Sequence, residues 1–145
     1  MIKPVASALA CAFSFLIIIG YVPDVLGQSV SGKVYSVVEK QPEFPGGKAA
    51  LSRYLAETIK FPGSLMRQRA DTGPIAAQFI IDQTGAVHDV RVTTKPLTGK
   101  ARKGMESFIT TVIAAVEKMP NWQPGEIKNR PVSVFYTLPI EVNVK

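Results

Sequence analysis

An α+β fold is what this sequence predicts: a three-stranded antiparallel sheet with two helices packed on one of its faces. Three observations lead there. The first is the stretch from Val132 to Val144, where Val132, Val134, Tyr136, Leu138, Ile140, Val142 and Val144 alternate with Ser133, Phe135, Thr137, Pro139, Glu141 and Asn143. Period two marks a strand with one face on a core and one towards water. The second is a pair of apolar runs, Ile75 to Ile81 and Ala86 to Thr94, joined by Asp82-Gln-Thr-Gly85. A short turn with glycine at the position needing a positive φ reads as a hairpin. The third is helical periodicity on either side of that hairpin.

Taken in order, the chain opens with Lys3 followed by an apolar run from Val5 to Val22, broken at Pro23. This is a targeting segment, either a signal peptide cleaved before Gln28 or a membrane anchor through residues 5–22. In both cases the remainder is exported. Residues 28–34 read as a short flexible lead and 35–145 as one domain. Cys11, inside the apolar run, is the only cysteine. The exported part therefore has no disulfide, thiol nucleophile or thiolate metal site. The net charge is +6, with its densest basic stretch from Lys95 to Lys103. Aromatic and basic residues are not interleaved as in RNA-binding domains, so nucleic acid is not an expected partner.

Gln41 to Gly47, with two prolines and two glycines, is a turn. Gly46-Gly47-Lys48 lacks the spacing of a phosphate-binding loop. Lys48 to Ile59 is a helix with Leu51, Tyr54, Leu55 and Ile59 on one face, and Pro62 ends it. Ser64 to Arg69 allows one more helical turn. Ile75 to Ile81 suits a central strand. In the strand that follows, Val87 and Val90 are out of phase unless a bulge intervenes. Lys95 to Gly104 reads as a basic loop. Met105 to Lys118 is the second helix, burying Met105, Phe108, Ile109, Val112, Val116 and Met119. Trp122 is expected as a core anchor at a helix–sheet joint.

Strand order follows from connection rules. The hairpin makes its two strands neighbours, and a right-handed helical crossover then places the last strand on the far side of the first. The predicted order is 2-1-3. The last strand is an edge, which suits Pro139, because a proline has no N–H to give to a ladder. A long edge strand invites a further strand to pair with it.

Catalysis is not expected. His88 is the only histidine, and its neighbour Asp89 should point to the opposite sheet face. No serine or threonine sits in a nucleophile elbow, and no carboxylate pair or metal cluster is evident. No cofactor is expected.

Several segments carry a family resemblance. They are Phe44-Pro-Gly-Gly47, Lys60-Phe-Pro62, Phe79-Ile-Ile-Asp-Gln-Thr-Gly85 leading into Asp89-Val-Arg-Val92, Met119-Pro-Asn-Trp-Gln-Pro-Gly125, and Pro131-Val132 leading to Thr137-Leu-Pro-Ile140. In order and spacing they resemble the TonB C-terminal domain, in the style of Bacteroidetes-type energy transducers. The resemblance implies a periplasmic domain that docks on TonB-dependent outer-membrane transporters. Its last strand would pair with the transporter segment called the TonB box. Carried over, partner-binding positions are Val132, Val134, Tyr136, Leu138, Pro139 and Ile140 on the last strand, with Lys60, Phe61 and Pro62 near the docking surface. A retained N-terminus would also imply contact with inner-membrane motor proteins. Family members usually carry a long periplasm-spanning arm. Here residues 28–33 separate the apolar segment from the domain, a reach of about 20 Å when fully extended. That spacing points to partner binding rather than force transmission. The alternative reading of the same edge is self-association into a dimer.

Overall fold

The computed structural model describes residues 32–67 and 71–141. The N-terminal apolar segment, Gln68 to Ala70 and the end of the last strand beyond Glu141 lie outside the described residues. The elements are β1 (Val34–Tyr35), α1 (Gly47–Thr58), α2 (Gly63–Arg67), β2 (Ile75–Ile81), β3 (Val87–Thr93), α3 (Gly99–Glu117), β4 (Gly125–Ile127) and β5 (Arg130–Ile140). Among the described residues, no helix is long and apolar enough to cross a membrane.

The α+β class holds, but the sheet is not three-stranded. The expected antiparallel trio is present as β3–β2–β5, with β2 in the centre. Two short strands extend it. β1 lies parallel to β5, pairing Val34 with Ser133 and Tyr35 with Val134. β4 forms a hairpin with the start of β5, from Gly125 opposite Val132 to Ile127 opposite Arg130. The sheet is therefore five-stranded and mixed. Strands of two and three residues show no periodicity, which is why the sequence pattern did not reveal them. There are three helices rather than two, because the extra turn after Pro62 forms α2.

The core lies on one side of the sheet. Ile75, Ala77, Phe79 and Ile81 of β2 are buried and stand opposite Ile140, Leu138, Tyr136 and Val134 of β5. Leu51 of α1, Leu65 of α2, and Met105, Phe108, Val112 and Val116 of α3 close over them. Each fully buried side chain of this size contributes about 1.5–3 kcal/mol. An aromatic group of Phe44, Tyr54, Phe79, Trp122 and Tyr136, with centroids 5.1–5.9 Å apart, joins the helices to the sheet. Trp122 is thus the anchor its sequence context predicts. Its indole Nε1 is buried without a hydrogen-bond partner, so the ring is held by packing alone. Tyr54 Oη donates to the Ala115 carbonyl at 2.7 Å, tying α1 to α3.

The predicted bulge is real. Gln78 pairs with Arg91 and Ile80 with His88, so one residue of β2 faces two of β3. Asp89 takes a left-handed backbone at φ 52°, and this brings Val87 and Val90 onto the core side together. α3 begins at Gly99, six residues before the position expected from its apolar face. The basic stretch read as a loop is largely helix, because Lys, Ala and Arg are good helix formers and charge does not oppose helicity. The helix starts after Thr98, whose backbone is extended, with Pro96 two residues before it.

Candidate functional site

The last strand owes its position to β2. Seven successive pairs, Ile81 with Val134 through Ile75 with Ile140, occupy one of its two edges. On the other edge β1 takes Ser133 and Val134. Val134 is thus paired on both sides, and Val132 pairs with Gly125 of β4. From Phe135 to Ile140 the second edge has no strand beside it among the described residues. β5 is therefore not the outermost strand that the sequence predicts, because β1 lies outside it, and its open side is shorter than the expected span from Val132.

Side chains along this stretch divide by face. Tyr136, Leu138 and Ile140 belong to the core face, so they would offer a guest strand little beyond their backbone. Phe135, Thr137 and Pro139 are exposed on the opposite face, which no helix covers among the described residues. Phe135 is 42 % exposed, an unusual degree for a phenylalanine in a strand. Sequence reasoning placed it in the outward set without singling it out, although an aromatic among Ser, Thr and Pro on a water-facing side was the available signal. Ile80 stands directly across from it on β2, and together they form the apolar part of the uncovered face.

The sheet's other edge, β3, is built differently. It carries the bulge at Asp89 and the exposed charges of Asp89 and Arg91, and α3 lies chiefly over this strand. Bulges and charges are devices that discourage edge-to-edge pairing. The stretch Phe135-Tyr-Thr-Leu-Pro-Ile140 has no charge and no bulge; Pro139 is its sole guard.

Lys60, Phe61 and Pro62 form the joint between α1 and α2. Phe61 is half-buried and stacks edge-on against Phe108 of α3 at 5.1 Å. The Pro62 carbonyl accepts from the Leu65 N–H at 3.0 Å and so starts α2. Lys60 is exposed. No hydrogen bond or aromatic contact brings this segment to β5 among the described residues, so these three do not join the edge positions in one site.

A polar cluster at the β2–β3 turn was not foreseen. Asp82 Oδ1 accepts from Thr84 N at 2.8 Å, Thr84 Oγ1 at 2.6 Å and Ala86 N at 3.0 Å. His88 Nε2 donates to Asp82 Oδ2 at 2.6 Å. Partial burial pushes the Asp82 carboxyl up, but the bonds from Thr84, His88 and the backbone outweigh it and hold the group at about 2, below its ordinary 3.8. The sequence pointed to Asp89 as the acid nearest His88; the hairpin register instead sets His88 across from Ile80 and close to Asp82. These bonds all join residues 82 to 88 of the hairpin, so the cluster ties the turn to the start of β3. That turn in turn holds Trp122, whose N–H donates to the Gly85 carbonyl at 2.8 Å. Gly85 has φ 86°, and a Cβ there would lie 1.8 Å from the Trp122 carbonyl oxygen.

Among the described residues, no group of three or more His, Cys, Asp or Glu is placed to hold a metal ion. In comparisons with known proteins, no family model, no curated protein and no solved structure matches the chain.

Proposed function

We propose that this chain is an exported, non-catalytic domain that captures an extended segment of a partner protein by adding it as a strand beside Phe135 to Ile140. The TonB C-terminal domain, which its motifs resemble, docks on outer-membrane transporters in this manner. A TonB-box segment of such a transporter is the partner this reading names, in the periplasm and in connection with energy-coupled transport. What carries the reading is the contrast between two sides of one sheet: β3 is bulged and charged, while the second half of β5 is unbulged, uncharged and, among the described residues, without a strand on the side away from β2. Main-chain hydrogen bonds would supply affinity, and the side chains flanking Phe135 and Thr137 would supply selectivity. A footprint this small belongs to the weak, transient class of interfaces.

Titration of the ¹⁵N-labelled protein with TonB-box-like peptides tests it. Amide shifts should cluster at Phe135 to Ile140, with β3 unaffected. No shift in that stretch at millimolar peptide would sink the proposal. The same edge also fits a second copy of the chain, in a two-fold dimer. Sedimentation over a concentration series decides this, since a strict monomer excludes it.

A further inference from the structure

We infer that β1 is a removable occupant of the docking edge, so that partner segment and β1 compete for neighbouring positions on β5. This inference rests on the docking reading above and specifies the footprint of the guest. β1 and the open stretch lie on one continuous edge: Val34 and Tyr35 stand beside Ser133 and Val134, and from Phe135 on no strand is paired there among the described residues. A guest confined to Phe135–Ile140 covers about 20 Å of strand. Any longer guest, or one whose register reaches Val134, meets β1.

Three features make β1 removable. It is two residues long, so its pairing is marginal by itself. The next fixed points along the chain are Glu39, whose carboxylate accepts from the Lys128 N–H at 3.2 Å, and Lys40, whose N–H and carbonyl exchange hydrogen bonds with Glu126 at 3.1 and 3.0 Å. Glu43 and Gln123 repeat the exchange at 3.0 and 2.8 Å, so everything from Lys40 onward is held independently of β1. Between β1 and these anchors, Ser36 and Val37 are exposed, Val37 to 82 %. These residues form a hinge through which β1 can leave without loosening α1 or the core. β2 cannot be displaced in this way, because its side chains build the core. The guest that fits is an extended, uncharged segment. It alternates an apolar residue beside Phe135 with residues that contribute backbone alone.

The experiment compares the full chain with the Val34→Pro/Tyr35→Pro double variant, which removes both β1 donors. Val34→Gly/Tyr35→Gly serves as the milder second variant. Both are titrated by NMR with a TonB-box-like peptide longer than the open stretch. Releasing β1 should tighten binding about threefold or more, because the competent state no longer has to be prepared, and peptide-induced shifts should spread to Ser133 and Val134. In the free wild-type protein, the amides of Val34 to Ser36 should exchange hydrogen much faster than those of β2. Equal or weaker peptide binding by both variants overturns the inference and leaves the docking reading intact, as does β1 protection equal to that of β2. Failure of wild type and variants alike to bind overturns the docking reading itself.

Discussion

At the residue scale, Gly85 is the position least able to change. It supplies a left-handed backbone and also the room for Trp122 to approach the hairpin turn. Gly85→Ala should therefore lower stability by about 3 kcal/mol or more in urea denaturation, because strain and collision add. Gln83→Ala in the same turn, where the side chain is exposed, should stay within about 0.5 kcal/mol. Asp82 acts beside it as an acceptor for the turn's donors. Its carboxyl lies at about 2 in the folded protein and at its ordinary 3.8 when unfolded. The lowered value means the stabilisation is complete above 3.8 and is lost as pH falls through about 2. Asp82→Asn should thus be less stable than wild type near neutral pH, and the gap should narrow between these two values when stability is followed by denaturation at stepped pH.

Elements differ in how they manage backbone strain and exposed edges. In β3, Asp89 sits at φ 52° to form the bulge, a conformation that an aspartate tolerates and a β-branched residue does not. Asp89→Val should cost about 1–3 kcal/mol although the side chain is exposed, a loss no contact list would foretell. The β4–β5 hairpin turns through Lys128 and Asn129 at φ 51° and 59°, the two-residue turn whose twist suits paired strands. In β5 the proposed docking gives the exposed aromatic Phe135 a role in binding rather than in folding. Phe135→Lys places a charge on the unguarded edge; it should change stability by no more than about 1 kcal/mol. The same substitution should weaken TonB-box peptide binding tenfold or more, as read from NMR titration.

For the whole molecule, the single core layer beneath the sheet decides stability, and β2 is its centre. Phe79, fully buried between Trp122 and Tyr136, should cost about 3–5 kcal/mol when truncated to alanine. Native-state hydrogen exchange should rank β2 and its pairs with β5 slowest, β3 next and β1 fastest, because protection follows buried contact.

Much of this architecture was legible in the sequence. A nearly continuous apolar run located β2, alternation located β3 and β5, and a 3.6-residue period located the buried faces of α1 and α3. Clashing phases at Val87 and Val90 announced the bulge, and connection rules ordered the three long strands. Periodicity is a local signal, however, and it is silent on pairings between distant segments. Only the tertiary structure seated Val34 and Tyr35 beside Ser133 and Val134, closing two positions of an edge that the sequence left wholly open. Only it carried His88 to Asp82 across the turn, turned Phe61 onto Phe108, and left Phe135 uncovered. The sequence by itself determined that the last strand would lie beside β2 on the side away from β3; the tertiary structure seated β1 outside it, so that only Phe135 to Ile140 keep an open side among the described residues, because β1 is too short to have a pattern.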